Sequence, residues 1–497
     1  MSGTKLNAIA LYANFVVMAL LGLAINPLLV QSLGATDFGI WKSLLRLLDL
    51  SGVADGRATQ ALKWIIAHGS KRDDELNLRR AIAAAILMWL FWLPVLLFAV
   101  SAVVYFLPSL ITGITADHLT IARGAALVLG INVILSAVVG IPDAVLFGTN
   151  QGYRSIILTT AFLILSNGLM LVVARAGYGL TALGLVTLGS TVLNGTFTWW
   201  VARRRVKWWG IAKPKRSDVT RFAGFSNWTL VWALVQLLLL SSELLLISAL
   251  SGPVAVTKYT FTSYSIQFAL SICLMTGSAV TPRLGALIGS GDLNAAGRLV
   301  GQTREILLTV MTVSGACILL LNKTFVSTWI GPQYYMGDTL NALMVIAFLQ
   351  LAHIRLEAQV QDVGLNISKK VLVALAATLA SLLLAGLLYI AFGSLESIYL
   401  GLIIGRFLAS ILLPRLVSGL VPISPYYWRG IAVLSTAVGG AILAAPFINP
   451  HGWLALLLTA AAAFIVLAGI ALVLVVSPET RSLVYGRTFA VRERMMQ

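Results

Sequence analysis

Charge is what this chain lacks. Of its 497 residues only 11% are Asp, Glu, Lys or Arg, while 59% are hydrophobic. A soluble domain carries about 25% charged residues, so a water-soluble globule is excluded. A disordered chain is excluded too, because it needs high charge and low hydrophobicity to stay solvated. Acidic residues are the scarcest: 18 Asp and Glu stand against 35 Lys and Arg, for a formal charge of +17. A nucleic-acid surface would explain that sign, but such proteins are charge-rich and this one is charge-poor. Cysteine is nearly absent. Cys273 and Cys317 lie inside apolar runs and offer neither a disulfide framework nor metal-ligand spacing. The four histidines, His68, His118, His353 and His451, are scattered, again without metal spacing. The chain has no GxxxxGKS or GxxxxGKT phosphate loop, which removes an ATPase of that type. No external loop is long enough to fold into the acceptor-holding segment that a membrane glycosyltransferase, polymerase or ligase uses.

What is abundant is long apolar runs. A helix crossing the hydrocarbon core needs about 20 mainly apolar residues. Fourteen runs qualify: 8–30, 38–65, 81–108, 118–147, 153–175, 179–202, 222–250, 254–282, 304–322, 339–365, 370–392, 395–418, 428–447 and 452–477. A membrane β-barrel would show shorter alternating segments instead. The predicted fold is therefore all-α and polytopic. With a cytoplasmic N-terminus, 25 of the 35 basic residues fall in cytoplasmic segments and adjoining span ends, and only Arg175 and Lys323 fall outside. One missed helix would invert every later loop, so the asymmetry supports the count and places both termini in the cytoplasm. The first helix reads as uncleaved, with no small-residue cleavage site.

The longest polar stretch, Arg203 to Arg221, follows the sixth span. It predicts a six-helix lobe over 1–202, a basic linker over 203–221, a second six-helix lobe over 222–418, an added helix pair over 419–480 and a basic tail over 481–497. Trp208 and Trp209 suggest that the linker rests on the lipid interface. A faint repeat joins the lobes. LGATDFGIWKS after span one and LSGPVAVTKYT after span seven both place a Gly-containing turn before an aromatic beside a lysine. Six spans is an even number, so the repeat is parallel, with its pseudo-twofold axis along the membrane normal. Transporters of this kind hold substrate between their halves.

Several charges lie at bilayer depth, where they are costly and normally face a bundle interior or a water-filled cavity. The basic ones are Lys42, Arg46, Arg57, Lys63, Arg123, Lys258, Arg355 and Arg406; the acidic ones are Asp49, Asp55, Asp143, Glu243, Glu357 and Asp362. In span two, Lys42, Arg46, Asp49, Arg57 and Gln60 fall within an arc of about 80°. Lys258, Thr262, Ser265 and Thr276 predict a second stripe in span eight, and Arg355, Gln359 and Asp362 a third in span ten. Internal pairing accounts for some of these, such as Arg46 with Asp49 or Arg355 with Asp362. Basic groups still exceed acidic ones, which suits a phosphate-bearing or otherwise anionic substrate. His353 lies one turn from Glu357, with a polar packing role or a titrating one.

These residues resemble a family. Leu33-Gly34 followed by Phe38-Gly39-Ile40-Trp41, then Leu47 to Gly52, then Pro282-Arg283-Leu284 with Gly291-Asp292, in a fourteen-span layout of six, six and two, are similar to the polysaccharide and O-antigen flippases of the multidrug/oligosaccharidyl-lipid/polysaccharide exporter superfamily. The resemblance implies two lobes around a central cavity, alternating access and an undecaprenyl-pyrophosphate-linked oligosaccharide as cargo, in a bacterial inner membrane. It implies no cofactor beyond an H+ or Na+ gradient, and as partners the lipid-linked substrate, membrane lipids and polysaccharide polymerase or export machinery, with no nucleic acid. Carried onto this sequence, the substrate-binding cations are Lys42, Arg46, Arg57, Arg123, Lys258, Arg355 and Arg406. Asp49, Asp143, Glu243, Glu357 and Asp362 are the carboxylates available for ion coupling. A cation-coupled small-molecule exporter of the same fold and a membrane-embedded enzyme acting on lipid-linked sugars are the alternatives.

Overall fold

The computed structural model describes residues 3–69, 75–363, 367–419 and 426–482. Lys71, Arg72 and the basic tail from 483 onward lie outside the described residues. Every long element described is helical. The order is α1 (Gly3–Gly52), α2 (Ala58–Gly69), α3 (Glu75–Tyr105), α4 (Leu107–Leu110), α5 (Ala116–Val139), α6 (Ile141–Gly148), α7 (Gly152–Arg175), α8 (Gly179–Arg205) and α9 (Arg216–Thr262), then α10 (Tyr264–Gly289), α11 (Leu293–Trp329), α12 (Asp338–Val363), α13 (Ile367–Phe392), α14 (Leu395–Ser418), α15 (Tyr426–Ala444) and α16 (Gly452–Leu474).

Among the described residues thirteen helices are long and apolar enough to span a membrane. The sequence predicts fourteen spans, and the difference lies at one residue. Fifty residues of α1 would reach about 75 Å, well over twice the hydrocarbon thickness. Gly34 breaks the helix at φ 80°, ψ 165°. Lys42 Nζ then donates to Asn26 Oδ1 at 3.0 Å. These two residues stand eight positions either side of Gly34 and would sit about 24 Å apart on a straight helix. The chain therefore doubles back at Gly34, and α1 is a hairpin of two arms. Its second arm continues through the 3-10 turn Val53–Asp55 into α2, and this broken, polar segment is the predicted second span.

The same punctuation recurs in α9, where Gly252 adopts φ 78°, ψ −178°. Trp41 stands seven residues after Gly34 and Tyr259 seven after Gly252, and both rings are buried. The arms that follow end on Gly69 and Gly289, each ahead of a long helix, α3 or α11. The repeat seen faintly in sequence is thus a repeat of hinge, anchor and helix end.

By its packing the chain forms two compact units, Met1–Thr257 and Lys258–Gln497. The division falls inside α9. Of the basic stretch 203–221, the first three residues finish α8 and the last six begin α9, leaving 206–215 between helices. In the first unit α2, α3, α6 and α8 share an apolar cluster containing Leu62, Ile66, Ile82, Val145 and Ala202. Trp208 and Trp209 pack against that cluster, so their rings lean on the protein. In the second unit the closest approach is α13 with α14. A Cβ at Gly401 would lie 2.6 Å from the Leu384 carbonyl carbon, and one at Gly405 2.8 Å from that of Ala380. Gly401 and Gly405 form a GxxxG face, a small-residue pattern that lets membrane helices meet backbone to backbone.

Candidate functional site

In the first unit the site is the second arm of α1 with its continuation. Phe38, Ile40, Trp41, Ser43, Leu44, Leu47 and Leu48 are buried and take up more than half of the helix circumference. The other face carries Lys42, Arg46 and Asp49. Lys42 is half-buried, with its ammonium 5.1 Å from the Phe38 ring centre. Arg46 and Asp49 meet at 3.7 Å with side chains 38% and 56% exposed, a loose pair that leaves both accessible. The arm then breaks. Gly56 (φ 68°) and Arg57 (φ 50°) are both left-handed, and Asp55 Oδ1 accepts from Arg57 N at 2.8 Å. Only glycine adopts that backbone readily, so Arg57 is held there by its surroundings, a pattern that clusters at functional sites. Its Nε is buried with no hydrogen-bond partner among the described residues. A broken helix at membrane depth is tolerated where it is buried or lines a cavity.

Below the break the charges close on one another. Lys63 Nζ lies 3.3 Å from Asp143 Oδ2 and 4.3 Å from the Phe147 ring centre. Asp143 also accepts from the Ser155 hydroxyl. Arg123 on α5 is exposed, and Glu243 on α9 is half-buried.

The second unit holds its charges differently. Arg304 and Glu357, 2% and 0% exposed, form a two-pronged pair, Nε to Oε1 at 2.8 Å and Nη2 to Oε2 at 2.5 Å. The Arg304 guanidinium lies 5.1 Å from the Tyr427 ring centre, and the Tyr427 hydroxyl meets His353 Nε2 at 3.1 Å. The fork geometry of arginine suits this planar match. Asp362 takes Lys370 as its ion-pair partner. Arg355 is 8% exposed and Arg406 fully buried. Lys258 is exposed.

Three expectations change in consequence. Arg304 and Lys370, which sequence position puts at cytoplasmic span ends, are buried counterions. Glu357 and Asp362 are therefore each occupied by a cation that sequence did not assign to them. The polar stripe predicted for span eight is partly structural. Thr262 Oγ1 donates to the Tyr334 carbonyl at 3.1 Å, and Ser265 Oγ donates to Asn322 Oδ1 at 2.7 Å. Asn322 in turn reaches the Thr262 carbonyl at 2.8 Å and Asn341 Oδ1 at 2.7 Å. His353 is a hydrogen-bond partner of Tyr427. Among the described residues no three His, Cys, Asp or Glu side chains group as a metal site.

No protein-family model and no curated protein matches the chain. Solved structures do. The lipid II flippase MurJ in an inward closed conformation is similar at 12% identity with a TM-score of 0.65, over 94% of this chain and 98% of MurJ. A multidrug resistance MATE family transporter of the MOP superfamily, inward-facing, is similar at 16% identity and TM-score 0.60, over 88% and 99%. A MOP superfamily transporter from Pyrococcus furiosus Vc1 is similar at 16% identity and TM-score 0.53, over 88% and 93%. At these identities the likeness is one of fold: the chain is a multi-spanning membrane protein with the architecture of the MATE and MurJ transporters.

Proposed function

We propose that the chain is a flippase for an undecaprenyl-pyrophosphate-linked oligosaccharide, working by alternating access in a bacterial inner membrane during polysaccharide assembly. The observation that carries this reading is the second arm of α1. Lys42 and Arg46 share its polar face, and Arg57 follows in the left-handed break with its Nε buried and unpartnered among the described residues; we take the three as one cationic path at membrane depth. Charges at that depth face a bundle interior or a water-filled cavity, and a positive path in a low-dielectric wall attracts a di-anionic headgroup. Arginine adds the two-pronged geometry that phosphate oxygens accept. The lipid tail stays in the bilayer while the headgroup moves. Of the carboxylates considered for ion coupling, Asp49 is the most open, being only loosely held by Arg46. Asp143, Glu357 and Asp362 each already hold a cation.

The test is transport of a labelled polyprenyl-pyrophosphate oligosaccharide in proteoliposomes. Wild type moves the glycolipid, and Lys42→Gln/Arg46→Gln slows it more than about a hundredfold, as expected when two charge-assisted contacts of about 1.5–3 kcal/mol each are lost. A wild type that moves no glycolipid from a panel of headgroups, yet expels small organic cations, makes the exporter of the same fold the correct reading.

A further inference from the structure

We infer that the C-terminal end of α8, with the loop behind it, forms a built binding surface for the headgroups of anionic phospholipids. The last turn of α8 carries Arg203, Arg204 and Arg205, all exposed. Two of them are pinned. The Arg203 guanidinium lies 5.5 Å from the Trp199 ring centre, and that of Arg204 lies 4.0 Å from the Trp200 ring centre. The two indoles are themselves 41% and 45% exposed. Each arginine stands four residues beyond its tryptophan, about 6 Å further along the helix axis and away from the bilayer core. Tryptophan settles at the membrane interface. Each side chain leans back over its indole, so the guanidiniums sit at the level of the rings, at the interface where lipid phosphates lie. A cation–π contact of this kind uses no N–H donor, so the guanidinium N–H groups stay available to phosphate oxygens.

The loop that follows is folded onto the unit. Val206 is buried, and Arg79 Nε on α3 donates to the Trp208 carbonyl at 2.8 Å. The Ala212 amide returns a bond to the Arg79 carbonyl at 3.4 Å. Exposed Lys207, Lys213 and Lys215 are therefore presented by an anchored strap beside the arginines. Asp218 is the one acidic side chain from 199 to 220, and its Oδ2 accepts from the Lys215 backbone amide at 2.9 Å. On the neighbouring α3, the Glu75 carboxylate is 3.8 Å from Arg79 Nη2, so its charge is partly answered before it reaches a negative partner. The exposed indoles favour a lipid over a soluble anion.

Full-length protein in nanodiscs of phosphatidylcholine doped with phosphatidylglycerol, extracted in mild detergent, gives the measurement: the ratio of the two lipids retained, read by mass spectrometry. Wild type retains phosphatidylglycerol preferentially. Arg203→Gln/Arg204→Gln lowers that preference by more than about 25-fold, the figure for charge alone at about fivefold for each charge removed beside an anionic surface. Lys213→Gln/Lys215→Gln removes the same charge from the strap and lowers it by no more than that figure. Equal losses in the two variants overturn the proposal, since charge alone would then account for retention, and so does a wild type without preference. Should the glutamine pair fail to fold, Arg203→Lys/Arg204→Lys decides: it keeps the charge and loses the stacked fork, and retention equal to wild type overturns the built site.

Discussion

Glu357 is buried against Arg304, whose guanidinium in turn lies over the Tyr427 ring. Removing one member of a buried pair leaves the other uncompensated, at a cost of about 3–5 kcal/mol. Glu357→Gln is therefore expected to lower the thermal unfolding temperature sharply in detergent, while Arg304→Met/Glu357→Leu recovers most of the loss because neither charge remains. A double variant no better than the single one would show that Arg304 has a further obligate partner. The same logic decides which cations test transport cleanly. Arg355 and Arg406 sit in the packed interior of the second unit, where loss of fold and loss of transport coincide. Lys42 and Arg46 are accessible, and their replacement leaves the apolar face of their helix intact.

Helix positions were legible in the sequence because they depend on local composition: apolar length, a glycine at each turn, polar residues in steps of three and four. The hinge at Gly34 and its echo at Gly252 were visible for the same reason. The partners of the buried charges were not, since they come from helices distant in sequence. Arg304 is the instructive case. The apolar run begins at Ile306 and the predicted span at Arg304, which made Arg304 look like a span end. The helix begins at Leu293, where Asp292 Oδ1 caps it by accepting from the Ala295 amide at 2.9 Å. An Asp followed by a helix-forming stretch was a readable start signal. It would have moved Arg304 about 17 Å into the helix. The GxxxG of α14 was equally readable. At Gly405 a β-branched side chain has only the α13 backbone to displace, so Gly405→Val is expected to cost about 1–3 kcal/mol or more and to broaden the size-exclusion profile. Gly386 has nothing within 4 Å of a built Cβ. Gly386→Ala should be neutral or slightly stabilising in the same assay, by about 0.4–1 kcal/mol.

For the whole molecule the asymmetry of the basic residues predicts the orientation. The turn at Gly177 and the strap at Lys213 bracket α8, which spans the bilayer once. The charge asymmetry predicts that alkaline phosphatase fused at Gly177 is active outside the cytoplasm and that a fluorescent protein fused at Lys213 folds inside it. Both reporters on one side would remove the topology on which the transport reading stands. The hairpin of α1 bears on how that topology is reached during synthesis. Its two arms are joined by a single residue, so no loop separates a first insertion event from a second. The returning arm carries Lys42, Arg46 and Asp49 and is too polar to partition into lipid unaided. The arms are expected to leave the insertion machinery as one unit, packed on each other from the start, and a longer joint at Gly34 would leave the returning arm less tightly tied to its partner.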